Sequence, residues 1–334
     1  MRLGIGVSEN IPIPEQQRIA AHVESAGFAS LWANEARGRD ALLLCQAWAA
    51  ATTDLEVGVG VVSLWTRTPA QLAMGTATLQ EATGGRFLLG IGVSHPLTMG
   101  PHHGVEVRRP MSATRELVDI LAQLDAGEKS DVAGRVFTSQ GFRLEMTPKP
   151  PPMRLYLAAM GPQMLQLAGE RGDGALLNWS GPEEVARAGG LIRDAARDAG
   201  RNPADVDVAT YVRVAVADNR DDAKAALAVQ AGRYASLTAY ADHMRRQGLG
   251  DAVERVTAAR TAGADGYGLA EALGDEALDV LGWTAVPGDD PAAMVQSYRD
   301  AGLDHLVVRV VVVGDDAVDN VTRVVRTFDT TAGA

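Results

Sequence analysis

The sequence predicts an α/β protein of the (β/α)8 TIM-barrel type, with eight parallel strands closed inside a ring of helices. Two patterns point there. Short β-branched or aliphatic runs alternate with stretches of helical spacing along the whole chain, and a glycine-marked turn carries helix into strand in both halves. Size agrees: 334 residues at 46% hydrophobic content supply a large core, and barrels of this length fold as one unit.

The strand candidates are Leu3 to Val7, Ser30 to Ala33, Leu55 to Val62, Phe87 to Val93, Arg154 to Ala158, Gly174 to Leu177, Val206 to Val216 and His305 to Val313. Helical spacing falls between them, over Glu15 to Ala26, Ala41 to Ala51, Gln71 to Ala82, Met111 to Ala126, Glu183 to Ala199 and Pro291 to Ala301. Gly27, Gly172 and Gly302 each stand where a helix takes a left-handed residue after its last turn, with an apolar strand a few positions on. Such a repeated αβ loop favours a closed barrel over an open doubly wound sheet.

Two segments break the rhythm. Residues 130–152 read as a small hairpin around Gly134 and Gly141, followed by a stiff linker, Pro148-Lys149-Pro150-Pro151-Pro152. Residues 231–285 read as a mostly helical insertion, too long for one ordinary connection. It either caps the substrate or serves packing and oligomer contact. The expected organisation is one domain over 1–334 carrying both insertions.

Charge and composition exclude several classes. With 31 Lys plus Arg against 42 Asp plus Glu, the net charge is −11, the wrong balance for phosphate neutralisation, so no nucleic-acid partner is expected. The single cysteine, Cys45, makes neither an internal disulfide nor a cysteine-based zinc site. The first residues lack a signal-peptide pattern and no apolar stretch reaches the length of a membrane span. The expectation is a soluble cytoplasmic protein without a membrane partner.

Phosphate-loop, HExxH, GxSxG and EF-hand motifs are absent. Gly90-Ile91-Gly92-Val93-Ser94-His95 approaches a dinucleotide fingerprint, but His95 replaces the third glycine and would hold helix and strand apart. His95, His102 and His103 share one loop without the spacing of a metal site, so no metal is assigned. At the end of a barrel strand, His95 is placed as a proton carrier, the usual role of an imidazole there, or as a loop histidine bonded to backbone. Asn34, Glu35, Arg37 and Arg39 follow the second strand, where Glu35 offers acid or base chemistry and the arginines hold an anion, unless they form a solvated loop. After the fifth strand, Gly161 lets backbone approach a ligand and Pro162 opens a helix whose first N–H groups favour phosphate.

Taken together, Leu3 to Val7, Ala26-Gly27-Phe28-Ala29-Ser30-Leu31-Trp32, Thr66-Arg67-Thr68-Pro69, Gly85 to Val93, Ala159-Met160-Gly161-Pro162, Ala168 to Gly174 and Pro287 to Val308 resemble the luciferase-like monooxygenase superfamily. The likeness is nearest to its branch of coenzyme F420-dependent oxidoreductases, and the pieces span nearly the whole chain in family order. The resemblance implies a barrel, commonly a homodimer, with a deazaflavin or flavin across the C-terminal strand ends. It places the ring over Ser63 and Leu64, with a non-proline cis peptide expected between them. Asn34, Val93, Ser94 and His95 match positions that touch the ring or its side chain, and Gly161, Pro162 and Gln163 match the phosphate-binding turn. Sugar-phosphate-oxidising members carry Asp-His where this chain has Asn34-Glu35, and Glu where it has His95, so their substrate is not implied.

The expected activity is hydride transfer between C5 of coenzyme F420 and a small organic substrate, with His95 or Glu35 handling a proton and Asn34 and Ser63 orienting the ring. The alternative on the same fold is an FMN-dependent monooxygenase using reduced flavin and O₂. A third reading, of another class, is a non-catalytic barrel that binds a cofactor or a protein.

Overall fold

Eight strands closed in parallel leave a narrow interior that inward side chains must fill, while outward ones must suit the helix ring. The computed structural model, which describes residues 1–147 and 149–329, meets both demands. The first half runs β1 (Arg2–Gly6), α1 (Ile13–Ser25), β2 (Ser30–Ala33), α2 (Ala41–Ala49), β3 (Glu56–Ser63), α3 (Pro69–Thr83), β4 (Phe87–Gly92), α4 (Pro96–His103) and α5 (Pro110–Asp125). A short antiparallel hairpin follows, β5 (Asp131–Ala133) with β6 (Thr138–Gln140). Then come β7 (Leu155–Ala158), α6 (Pro162–Arg171), β8 (Gly174–Asn178), α7 (Pro182–Asp198), β9 (Asp207–Val216) and α8 (Arg220–Ala235). Helices α9 (Thr238–Arg246), α10 (Gly250–Thr261), α11 (Gly266–Leu273) and α12 (Asp275–Leu281) precede β10 (Gly282–Ala285), α13 (Ala292–Asp300), β11 (His305–Val310) and α14 (Ala317–Asp329).

The order β11-β1-β2-β3-β4-β7-β8-β9, closed by parallel pairing of β9 with β11, is the predicted eight-stranded barrel. All eight strand candidates lie in it, with ends shifted by up to three residues. β10 is an addition inside the segment read as helical. β8 pairs with β9 only as far as Tyr211, and β10 pairs with the open stretch Arg213 to Val216. Four residues after a helical run carry too little periodicity to reveal such a strand. The hairpin stands where the sequence placed it; Pro148, first residue of the expected linker, lies outside the described residues. Among the described residues no helix is long and apolar enough to cross a membrane.

Gly27 and Gly302 adopt the left-handed conformation, with φ of 81° and 77°. Gly172 does not: its φ is −84°, and it is glycine for space, because a Cβ there would meet the Gly174 and Ala168 carbonyl oxygens at 2.9 and 3.0 Å.

Trp32 occupies the centre of the barrel with Leu88, Tyr156, Leu176, Ala209, Tyr211 and Val307 around it. Its ring meets Tyr156 and Tyr211 edge to face at 5.5 and 6.3 Å, and its Nε1 donates to Ser30 Oγ at 2.8 Å, which in turn bonds His305 Nε2 at 2.8 Å. Below it, at the N-terminal strand ends, charges are paired. Arg2 bridges Glu56 and Asp207, Arg154 also reaches Glu56, and the Tyr156 hydroxyl donates to Asp207 at 2.5 Å.

Burial pushes the Asp207 carboxyl up, but the His305 imidazole, the Arg2 charge and the Tyr156 hydroxyl outweigh it and hold the group at about 2. A folded-state value below the ordinary 3.8 stabilises the fold above pH 4 and is lost as pH falls from 4 through about 2. The difference corresponds to about 2 kcal/mol. Asp207→Asn should therefore be less stable at pH 7 and show a flatter loss of stability between pH 4 and 2, read from urea midpoints across that range; an unchanged slope would contradict the assignment.

Candidate functional site

The C-terminal strand ends meet at one end of the barrel, where the loops of neighbouring strands form one mouth. Asn34 directly follows β2. Its Oδ1 is buried and accepts no hydrogen bond from the protein, a costly state that a donor on a ligand would relieve. Glu35 is committed elsewhere. Arg67, from the β3–α3 loop, donates Nη1 to Glu35 Oε2 at 2.7 Å and Nη2 to Oε1 at 2.6 Å, and it also reaches Asp40. Asp40 Oδ1 meanwhile caps α2 through the N–H groups of Leu42 and Leu43 at 2.9 and 3.1 Å. The hydrogen bonds and charge of Glu35 raise the Arg67 guanidinium further, over the opposing effect of burial. Glu35 thus pins two mouth loops together, both oxygens occupied. Arg39 is also tied back, its Nη1 on Glu9 O at 3.1 Å.

The cis peptide is Gly60–Val61, three residues before the expected Ser63–Leu64 bond, which is trans. The pairing of β3 with β4 slips between Val59 and Val62, so the irregularity lies inside the strand rather than at its end. Gly60 is glycine because a Cβ there would come within 2.2 Å of Tyr211 Oη and 2.6 Å of Leu176. The Tyr211 hydroxyl, reaching across from β9, donates to Gly60 O at 3.2 Å. Ser63 Oγ contacts Met99 Sδ of α4 at 3.2 Å. Leu64 is 1% exposed and packs in the shell between strands and helices, so its side chain does not line the mouth.

After β4, the Val93 carbonyl accepts from Trp65 Nε1 at 2.7 Å, and Ser94 is exposed with a left-handed φ of 60°. A non-glycine residue held there stores strain, which collects at ligand-binding loops. His95 begins α4, its Nδ1 accepting from the Leu97 N–H at 3.2 Å. With Nδ1 an acceptor, the neutral ring carries its proton on Nε2, a donor no protein group uses. His102 and His103 are exposed at the far end of α4, and no group of three metal-ligating side chains forms among the described residues.

Gly161 caps α6 with open space where a Cβ would stand. Met164 and Leu165 donate back to Gly161 O at 3.1 and 3.0 Å, leaving the Gln163 N–H at the helix tip without a protein acceptor. Pro162 and Gln163 are exposed beside it. Arg246 from α9 reaches over this turn, its Nη2 on Met160 O at 3.3 Å, adding positive charge to a helix N-terminus suited to phosphate.

Several mouth residues lay outside the sequence assignment. Arg67 and Arg246 act by partnerships that spacing cannot show. Trp179, left-handed at φ 56° and buried, stacks on Arg213 of β9 at 3.9 Å from guanidinium carbon to ring centre. Arg309 of β11 is Arg213's register partner. A signal for these two was present, since a lone arginine inside a β-branched run must find a reason to be buried.

The geometry sets two stability expectations. Gly60→Ala should lose about 1–3 kcal/mol by overpacking against Tyr211 and Leu176, and pairing it with Tyr211→Phe, which removes the clashing oxygen, should recover part of that loss in chemical denaturation. Additive losses would speak against the contact. Glu35→Ala should cost about 1–3 kcal/mol by leaving a largely buried Arg67 fork half-paired, seen as a lower melting midpoint.

Comparison with known proteins agrees with this architecture. The family model described as luciferase-like monooxygenase matches residues 2–305. The 5,10-methylenetetrahydromethanopterin reductase of Archaeoglobus fulgidus is 29% identical over 313 residues, covering 92% of each chain. The F420-dependent glucose-6-phosphate dehydrogenase of Mycolicibacterium gilvum is 28% identical over 266 residues, 77% of this chain and 73% of that one. Among solved structures, coenzyme F420-dependent tetrahydromethanopterin reductase from Methanopyrus kandleri superposes with a TM-score of 0.80 at 22% identity, covering 98% and 97% of the two chains.

Proposed function

Because the chain belongs to the luciferase-like monooxygenase family, we propose that it is an oxidoreductase that uses coenzyme F420 to move a hydride to or from a small organic substrate. The observation that carries this reading is the unmatched polar lining of the mouth. Asn34 Oδ1 lacks a donor and the Gln163 N–H lacks an acceptor, on opposite flanks of the β3 and β4 ends. One extended ligand with a polar ring and a phosphate would answer both. The relatives named as F420-dependent support the deazaflavin over FMN.

When bound, the deazaflavin supplies the hydride chemistry. The chain's own residues bind and orient. The Asn34 carboxamide would fix the ring edge, Ser63 and the strained Ser94 turn would shape its bed, and Gly161, Pro162 and Gln163 with Arg246 would hold the phosphate. His95 would exchange a proton with the substrate at Nε2, giving it from the imidazolium or taking it when the ring proton sits on Nδ1. The bidentate pair with Arg67 leaves Glu35 the positioning of loops rather than proton transfer.

A fluorescence titration of the purified protein with coenzyme F420, and separately with FMN, tests the reading; tight F420 binding with weak FMN binding is expected, and the reverse preference would move the assignment to a reduced-flavin monooxygenase. His95→Asn keeps an acceptor for the start of α4 while removing the titrating group. It should lower turnover by about 10²–10⁴-fold and leave the F420 dissociation constant nearly unchanged, whereas unaltered turnover would remove His95 from the chemistry.

A further inference from the structure

Arg213 and Arg309 stand opposite one another in the register of β9 and β11, so both leave the same face of the sheet, into the barrel. The Arg309 stem lies over Gly6, where a Cβ would come within 2.9 Å of its Cδ. Arg213 is 3% exposed and sits among Asn178 Oδ1, which accepts from its Nη1, and the rings of Trp179 and Tyr234 at 3.9 and 5.5 Å. Aromatic faces stabilise a buried cation but satisfy no N–H. Two donors remain buried without an acceptor, Arg213 Nε and Arg309 Nη1.

The contrast with the other end of the same barrel is informative. Arg2 and Arg154 are matched there by Glu56 and Asp207. Among the described residues, no carboxylate pairs with either arginine at the mouth. A guanidinium withdrawn from water, as that of Arg213 is, beside the half-buried Arg309 and with no counter-ion for either, is costly. Burial is the main cause that pulls the Arg213 guanidinium down to about 10, with the Arg309 charge adding to it; it remains a cation at neutral pH.

Strand order puts this pair on the far side of the mouth. In the closed ring β9 stands across from β3 and β11 across from β4, and the Tyr211-to-Gly60 hydrogen bond spans that gap. The arginines therefore face the proposed ring bed and His95 rather than the phosphate turn after β7. We infer that Arg213 and Arg309 form an oxyanion-recognition pair, and that the substrate is a small organic anion, either a carboxylate or a phosphate ester. The word substrate rests on the function proposed above; the anion site does not. Each arginine leaves a buried nitrogen without a protein acceptor, Nε of Arg213 and Nη1 of Arg309, so one oxyanion is bridged between the two.

The test uses the full chain, with inorganic phosphate and acetate as probes. Both the thermal midpoint and competition with turnover are measured for wild type, Arg309→Met and Arg213→Met, with F420 titrations in parallel. One of the two anions should stabilise the wild type at constant ionic strength, and Arg309→Met should weaken that anion by about tenfold or more, the loss of one charge-assisted hydrogen bond, while F420 binding stays within about twofold. The anion that acts distinguishes carboxylate from phosphate ester. Arg309 is half-buried, so its variant carries the test should Arg213→Met fail to fold.

No anion stabilisation of the wild type, or an equal response in Arg309→Met, overturns the inference. Loss of F420 binding in Arg309→Met overturns it too, by assigning the pair to the cofactor. Wild type that binds anion but not F420 would instead sink the proposed function and leave the anion site standing. With F420 bound, organic acids or phosphate esters should turn over faster than their neutral amides or dephosphorylated counterparts, and the difference should shrink in Arg309→Met.

Discussion

Everything in this protein is arranged around the narrowness of the barrel interior. Trp32 fills its centre, and neighbouring strands answer with residues that have no side chain: a Cβ at Gly58 would meet the Trp32 ring at 2.8 Å, one at Gly174 the Tyr156 ring at 2.3 Å, and one at Gly60 the Tyr211 hydroxyl at 2.2 Å. Large rings opposite glycines give close packing without overfilling. The same packing carries Tyr211 across to the Gly60 carbonyl, so the irregular stretch of β3 beneath the mouth is held from the opposite wall.

That interior also separates two electrostatic environments. At the N-terminal strand ends Arg2 and Arg154 are matched by Glu56 and Asp207, and the Arg2–Asp207–Tyr156–Glu56–Arg154 network serves stability. At the C-terminal ends the inward polar groups are incompletely matched: Asn34 Oδ1, Trp179 Nε1, Arg213 Nε and Arg309 Nη1 are buried without partners. Folding satisfies buried polar groups wherever it can; others without a hydrogen-bond partner are scattered, Thr76 and Gln80 on α3, Thr210 in β9 and His305 Nδ1 at the start of β11, but the unmatched guanidinium nitrogens are at this end. The segment after β9 completes the picture. α9 brings Arg246 over the α6 tip, and Gln247 Oε1 accepts from the Gly181 N–H at 2.9 Å, docking the helices onto the β8 loop.

The fold was legible because barrel strands and their helices leave periodic signals in local sequence, and the turns at Gly27 and Gly302 repeat one geometry. Legibility stopped where the determinant was a distant partner. Gly172 reads like its two counterparts but is glycine for want of space. Glu35 reads as a free carboxylate at the mouth, yet Arg67, 32 positions away, occupies both oxygens. The displaced cis bond has the same origin: a slip of register belongs to the pair of strands, so neither strand's sequence locates it.

By itself, then, the sequence determined the closed alternation of strands and helices and the loops that follow the strands, from Asn34 to Gln163, because each follows from local periodicity and turn chemistry. Only the tertiary structure decided which of those groups are free to act. Partnership is a property of residues brought together by closure: Glu35 lost its freedom to Arg67, His95 kept one ring nitrogen by bonding through the other, and Arg213 and Arg309 became neighbours because β9 and β11 pair in one register.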